Sequence, residues 1–358
     1  MTGTKAIRVG VIGFGNAGRN FHSAVVDAVP GLELATIVQR SGDAAAQAFP
    51  HVKISRSVAE MLRDETIRLV VVATPNVSHF SLAAQALEAG RDVVIDKPFA
   101  LSTTDAAKLI EIASRNKRLI SPYQNRRWDG DFLTVKKLLD DGKLGRLVSF
   151  ESHMDRWRPR PNLAVWRDND QVGGGALYDL GSHLVDQALM LFGMPEAIFA
   201  DIRVDRDNAI LNDAFDLRLY YSRLTVLLRT TCLACSPAQR FVIHGTQGSY
   251  MKWGLDPQED ALKRGEKFSQ PHWGEEPEVD WGKFTLDDRG TITHTPVQTL
   301  PGDYRGYYAN VRDALLGTAP LAVTANQAWH TIRVLELARE SSEKREAVPC
   351  DFSDKPVE

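Results

Sequence analysis

A glycine turn wedged between a β-branched run and a helix-like stretch limits the fold more than any other feature of this chain. Ile7 to Ile12 reads Ile-Arg-Val-Gly-Val-Ile. Gly13-Phe14-Gly15-Asn16-Ala17-Gly18 follows at once, and a helix-like segment continues from Arg19 to Ala28. Strand, glycine turn and helix in that order give G-x-G-x-x-G its meaning as a dinucleotide-binding turn. Gly13 lets the chain turn tightly, Gly15 lets backbone approach a pyrophosphate, and Gly18 lets helix pack close to strand. Free N–H groups at the helix start face the phosphates. A second run, Leu32 to Val38, ends in Gln39-Arg40-Ser41. An acidic residue there would hold the ribose of NAD; a neutral residue followed by a cation and a hydroxyl suits the 2′-phosphate of NADP. The expected cofactor is therefore NADP in preference to NAD, with Arg40 and Ser41 at its phosphate.

Strand-like and helix-like segments alternate through the first 120 or so residues. The strand candidates are Ile7–Ile12, Leu32–Val38, Val52–Ser55, Leu69–Ala73, Asp92–Ile95 and Leu119–Ser121. Amphipathic runs such as Val77–Glu88 and Thr103–Asn116 lie between them, the latter capped by Ser102 or Thr103. Such alternation gives a parallel sheet with helices on both faces. From Pro122 the pattern changes. A helix-like stretch at Phe132–Asp140 and a strand at Leu147–Met154 lead to a loop rich in Pro and Arg, Arg156 to Pro161. Gly173-Gly174-Gly175 precede a long helix, Ala176 to Phe192, closed by Gly193. Strand-like runs at Ala197–Val204, Phe215–Tyr221, Leu224–Leu233 and Arg240–Gly245 read as antiparallel. Asp256 to Thr291 reads as one long loop, and helices at Tyr304–Leu316 and Thr324–Glu343 close the chain. The expected fold is α/β. Residues 1–122 form a doubly wound Rossmann domain, and residues 123–358 form an α+β domain with an open, mostly antiparallel sheet.

Charge and composition exclude several functions. The formal net charge of −3 offers no field for nucleic acid or anionic membrane. No run approaches the roughly 18 apolar residues that span a bilayer, and the polar Met1 to Lys5 leaves no room for a signal peptide. Three cysteines, an odd number, make no disulfide framework. Cys232 and Cys235 stand at C-x-x-C spacing, but no second Cys or His pair completes a zinc set, so no metal is expected. These features point to the cytoplasm.

Three clusters carry chemistry. Thr74-Pro75-Asn76, with His79 close behind, follows the fourth strand. Ligands of a doubly wound sheet lie beyond the carboxyl ends of its strands, so these residues border the cofactor; a plain turn capped by Asn76 or Ser78 is the structural alternative. Asp96-Lys97-Pro98 follows the fifth strand on the same edge. A cation there can bond a substrate hydroxyl and the oxyanion formed from it, and Pro98 can fix the backbone as a cis bond. Asp179 and His183 stand four apart on a helix and share a face. His183 suits a general base near neutral pH, and Asp179 can favour its charged form or bond the substrate.

Together these motifs resemble the glucose–fructose oxidoreductase, inositol dehydrogenase and rhizopine-catabolism family (Gfo/Idh/MocA), over essentially the whole chain. The family's Glu-Lys-Pro triplet is Asp96-Lys97-Pro98 here, a departure that keeps the carboxylate on a shorter stem. Asn125-Arg126-Arg127-Trp128-Asp129, the stretch Leu177 to Gln187, Ile243-His244-Gly245 and Gly254 to Glu259 are similar to a bacterial subgroup that includes NADP-dependent scyllo-inositol dehydrogenase. The resemblance implies Lys97, Asp179 and His183 as catalytic residues. It implies cofactor contacts from Gly13, Phe14, Gly15, Asn16, Ala17, Gly18, Thr74, Pro75, Asn76, His79, Asp96, Lys97 and Pro98. Tyr123 and Gln124 would close over the nicotinamide ribose, and Trp166 and Arg167 would reach the nicotinamide end. Arg127, Asp155 and Arg158 are the candidates for substrate contact, with a surface or interdomain salt bridge as the alternative for each arginine.

The implied reaction is reversible hydride transfer between NADP(H) and a secondary alcohol of an inositol, sugar or polyol, in a homodimer or homotetramer. Two rivals remain at this point. One is a dinucleotide-binding sensor without turnover, against which intact Lys97, Asp179 and His183 argue. The other is an enzyme that recycles a tightly held cofactor within each turnover.

Overall fold

Two sheets, one parallel and one mixed, organise the computed structural model, which describes residues 6–169, 172–288 and 290–356. The first sheet is built from β1 (Ile7–Ile12), β2 (Leu32–Val38), β3 (Lys53–Ser55), β4 (Leu69–Val72), β5 (Asp92–Ile95) and β6 (Ile120–Pro122). All its pairs are parallel, in the order β3-β2-β1-β4-β5-β6. This is the doubly wound order whose switch point lies between the first and fourth strands. Leu69 to Val72 and Val93 to Ile95 are fully buried, as strands covered on both faces must be. The helix Thr103–Arg115 is capped by Ser102, whose hydroxyl accepts the Asp105 N–H at 3.1 Å.

The second sheet has nine strands: β7 (Leu147–His153), β8 (Ala197–Arg203), β9 (Ala214–Tyr221), β10 (Leu224–Thr231), β11 (Phe241–Gly245), β12 (Gly248–Lys252), β13 (Gly282–Asp288), β14 (Thr291–Val297) and β15 (Val348–Pro349). Their order is β14-β13-β12-β11-β7-β10-β9-β8-β15, and only the β7–β10 pair is parallel. One face packs the helices Ser182–Phe192 and Ala325–Lys344 through Leu184, Val185, Val334 and Leu335. The other face runs Phe199, Arg218, Leu227, Glu151, Val242 and Met251 across adjacent strands. Four of these six are apolar, and all but the exposed Arg218 are partly covered.

One expectation is corrected. Asp256 to Thr291 is not one long loop: it holds the helix Gln258–Lys263 and strand β13. The strand escaped notice because only Phe284 and Leu286 of its residues turn to the core. Its partner β14 is almost wholly exposed and carries Pro296, which an edge strand tolerates. The long helix expected over Ala176 to Phe192 is unbroken; its first turn, Leu177–Gly181, is π-wound and Ser182–Phe192 is α-helical. The segment around Tyr304 to Ile332, placed by the sequence in the second domain, packs back on the first sheet. Tyr304, Tyr307 and Tyr308 join the core under β1 and β2, and Trp329 and Ile332 join that under β4 and β5. No described helix is long and apolar enough to cross a membrane.

A buried ion pair ties the second sheet to the helix that begins at Ser182. Arg240 Nε donates to Asp131 Oδ2 at 3.0 Å, and Nη2 donates to Gln187 Oε1 at 3.0 Å. Gln187 Nε2 in turn donates to the Arg126 carbonyl at 2.8 Å. Both charged side chains are essentially out of solvent, at 1% and 0% exposure. Removing one partner of such a pair leaves an uncompensated buried charge and costs about 3–5 kcal/mol. Asp131→Ala is therefore expected to lower the stability read from urea unfolding by that order; a variant within about 1 kcal/mol of wild type would contradict the account.

Candidate active site

The turn after β1 is shaped as its glycines require. Gly13 has φ +100°, and a Cβ there would meet the Ala73 carbonyl oxygen at 2.4 Å. A Cβ on Gly18 would meet the Gly13 oxygen at 2.1 Å, whereas one on Gly15 would meet nothing within 4 Å. The chain is thus closed tightly against β4 on one side and left open at Gly15 on the other, which fits a pyrophosphate lying on bare backbone. The helix that follows is π-wound from Ala17 to Ser23, a winding frequent at functional sites. Phe14 packs its ring edge-on against Phe49 at 6.0 Å, so its backbone serves the turn.

At the end of β2, Arg40 and Ser41 are exposed. Arg56, overlooked in the sequence, braces this loop: its guanidinium donates to the carbonyls of Gln39 at 3.2 Å and Gly42 at 2.6 Å and pairs with Asp43 at 3.0 Å. Beyond β4, the Thr74 hydroxyl bonds Ser78 at 2.7 Å, Pro75 is exposed, and Asn76 Nδ2 donates to the Gly173 carbonyl at 2.7 Å. His79 is buried, with Nδ1 and Nε2 each 2.9 Å from a carbonyl oxygen, of Pro98 and Thr74. It clamps the loops after β4 and β5 together. Burial holds its pKa below the ordinary value, against the opposing pull of Asp96.

Residues from both sheets meet beyond β5. The Lys97–Pro98 peptide is cis. Asp96 is buried; its Oδ1 accepts the Lys97 N–H at 2.8 Å and lies 3.6 Å from His22 Nε2. Burial pushes the Asp96 pKa up, but the neighbouring His22 and Lys97 outweigh it, and the net direction is down. Lys97 Nζ donates to the Asp179 carboxylate at 2.7 Å and to the Asp179 carbonyl at 2.6 Å. Asp179 lies in the π-wound turn and His183 in the first turn of the α-helix. Gln124 Nε2 donates to the Ser182 carbonyl at 3.3 Å, which turns its amide oxygen toward His183 Nδ1 at 3.2 Å. A proton on Nδ1 satisfies that oxygen and leaves Nε2 as the acceptor, a tautomer assigned from the network. Burial first, then the charges of Lys97 and Arg126, hold His183 well below its ordinary pKa, with Asp179 opposing. His183 is thus kept neutral and ready to accept a proton.

These groups line a cleft of about 760 Å³ that also touches Asn16, Ala17, Asp96 and Tyr123. Lys97, Asp179 and His183 are brought together as expected from their motifs. Gln124 is nearly buried and touches His183, so it orients that ring. Arg127 is turned away: it pairs bidentately with Asp186 at 2.7 Å and donates to the Ala322 carbonyl, and it does not line the cleft. The salt-bridge alternative holds for it. Asp155 accepts the Ala238 N–H at 3.2 Å and is likewise outside the lining. Arg158 lines the cleft. Trp166 begins a single helical turn, Trp166–Asn169; Asp168 within it and Val165 just before it line the cleft, and the Arg167 side chain lies outside what is described. Sequence reasoning missed Arg126, Arg156 and Glu259 in the lining. Glu259 pairs with Arg126 and with Lys263, and these cations overcome burial to bring its pKa to about 2. Its signal lay in the Gly254–Glu259 stretch, but the residue it faces is far away in sequence. Three free cysteines and, among the described residues, no His, Cys, Asp or Glu group able to hold a metal complete the inventory.

Comparison with known proteins covers both domains. Residues 7–124 match the model of the Gfo/Idh/MocA oxidoreductase family, NAD-binding Rossmann fold, and residues 136–350 match that family's C-terminal alpha/beta domain. The chain is 41% identical to the uncharacterized oxidoreductase YdgJ of Escherichia coli, over 95% of this chain and 97% of that protein. It is 34% identical to the scyllo-inositol 2-dehydrogenase (NADP(+)) IolW of Bacillus subtilis, over 96% and 95%. A solved structure of a candidate oxidoreductase from Yersinia pestis superposes with TM-score 0.93 at 42% identity, covering 98% of this chain and 99% of that one. The chain therefore belongs to the Gfo/Idh/MocA family and is an oxidoreductase with an NAD(P)-binding Rossmann domain.

Proposed function

We propose that this oxidoreductase works on a secondary alcohol of an inositol, sugar or other polyol, with NADP(H) preferred over NAD(H). The observation that carries the reading is that Lys97, Asp179 and His183 share one cleft with Asn16 and Ala17 of the dinucleotide turn. Bound nicotinamide supplies the hydride acceptor. His183 Nε2 takes the hydroxyl proton. Lys97 has three N–H donors and uses two on Asp179, so one remains for the substrate oxygen, whose developing charge it stabilises. Asp179 holds that ammonium in place. The similarity to a scyllo-inositol dehydrogenase supports the substrate class. Exposed Arg40 and Ser41, with Arg56 bracing their loop, support NADP. Trp166 and Arg167 stay candidates for the nicotinamide end, and Thr74, Pro75 and Asn76 for the cofactor border. The odd count of three cysteines supports the cytoplasm, to be checked by fractionating the source cells.

Inositols, aldoses and polyols assayed with NADP⁺ and NAD⁺ test the reading. General-base catalysis is worth ~10² to 10⁴ in rate, so His183→Ala should lower kcat by that order on the best substrate. Lys97→Ala should do similar or greater damage. Near-normal turnover in His183→Ala would mean that the proton goes elsewhere. Arg40→Asp should weaken NADP binding far more than NAD binding in fluorescence titration; equal losses would refute the preference.

The open face of the second sheet supports a homodimer or homotetramer, because Phe199, Leu227, Val242 and Met251 lie across it only partly covered. Sedimentation at micromolar protein should show at least a dimer, and a monomer of 39.8 kDa throughout would contradict it.

A further inference from the structure

The cleft carries more positive charge than its own carboxylates use. Arg126 is held by Asp129 and Glu259, Lys263 by Glu259, and Arg206 by Asp168 and Asp213. Arg156, Arg158 and Arg160 also line it, and among the described residues no carboxylate pairs with any of them. The Arg156 guanidinium donates to the carbonyl of its neighbour Asp155, at 3.1 Å.

The backbone that carries these arginines is tied down, with the Arg156 side chain partly covered and those of Arg158 and Arg160 exposed at the mouth of the cleft. The Arg156 N–H donates to the Thr231 carbonyl at 2.9 Å, the Arg158 N–H to Cys232 at 2.8 Å, and the Ala234 N–H to Arg156 at 3.0 Å. Trp157 forms an antiparallel bridge with Leu233. The segment is thus an extended arm laid along the end of β10, and extended backbone sends alternate side chains to opposite faces. Arg156 and Arg158 share the cleft face, while Trp157 is turned to solvent at 55% exposure. Burial, and next the like charge of Arg126, depress the Arg156 pKa, with Glu259 opposing and Arg158 adding to the repulsion. A half-buried cation among cations, without a carboxylate, is a site that an anion would complete.

We propose that the substrate carries an oxyanion, a carboxylate or a phosphate monoester, gripped by Arg156 and Arg158 while Lys97 and His183 address its hydroxyl. The proposal rests on the reading of this cleft as the alcohol-oxidising site and narrows its substrates to acidic or phosphorylated sugars and polyols. Two guanidinium groups can each bond such a group bidentately, which a neutral polyol cannot match.

Calorimetric titration and turnover, run on one set of probes, test it. The probes are D-glucuronate and D-glucose 6-phosphate, with D-glucose and myo-inositol as neutral controls, and NADP⁺ is titrated separately. The full-length wild type is compared with Arg156→Gln, Arg158→Gln, the double variant, and the charge-conserving Arg156→Lys and Arg158→Lys. An acidic probe should bind about tenfold or more tighter than its neutral counterpart. The Gln variants should lose that preference and the Lys variants should keep part of it. Arginine-dependent binding of an acid without turnover of any probe would support the anion site and refute the dehydrogenase reading. Turnover favouring the neutral probes, with a ratio the Gln variants do not change, would overturn the proposal and leave the dehydrogenase reading standing. Gln variants that weaken NADP⁺ but not the acids would also overturn it, by assigning the arginines to cofactor phosphate. Absence of any acid binding would overturn it as well.

Discussion

The contact between Lys97 and Asp179 is the one on which the site depends. The cation comes from the end of β5 in the parallel sheet, and the carboxylate from the π-wound turn ahead of the Ser182–Phe192 helix. Neither partner is fully exposed, at 14% and 32% of the side chain, so water screens the pair only in part. Lys97 also bonds the Asp179 carbonyl, which fixes the ammonium against backbone as well as side chain. The pair brings two differently built units to one point and sets the electrostatics felt by His183. There, Lys97 opposes protonation and Asp179 favours it.

Behind this contact stands a layer of buried ion pairs that holds the geometry. Arg126 and Arg127 are neighbours in sequence, yet their side chains leave in different directions. Arg126 reaches Asp129 and Glu259 at the cleft, and Arg127 reaches Asp186 on the helix that carries His183. Arg240 adds a third anchor through Asp131 and Gln187. Each pair costs desolvation and returns it only through good geometry, so the layer serves to fix positions more than to add stability.

Much of this was legible from local pattern. The glycine turn and β-branched runs predict the parallel sheet, because they act within a few residues. Local pattern placed Lys97 at a strand end and Asp179 with His183 on one helix face, and it was the family resemblance that joined the three. What escaped depended on contacts distant in sequence. Arg127 read as a substrate residue because nothing near it announces Asp186, 59 positions away. Arg156 and Glu259 gained their place in the cleft only when the arm along β10 and the Gln258–Lys263 helix closed over it. Strand β14 was hidden because it buries almost nothing, and β13 because its alternation is only two apolar residues long, Phe284 and Leu286. The Tyr304–Ile332 segment joined the first sheet through side chains that periodicity cannot assign to one partner or another.

The claim that these three groups act as one electrostatic unit is tested most directly by titrating His183 itself. Carbon-13-labelled histidine followed by NMR, with His183→Ala to assign the signal, gives its ionisation without any need for turnover. In the wild type it should titrate below the ordinary 6.5. Lys97→Met removes a like charge and should raise that value; Asp179→Asn removes an opposite charge and should lower it further. A wild-type His183 that titrates at or above 6.5, or one that moves in neither variant, would contradict the account.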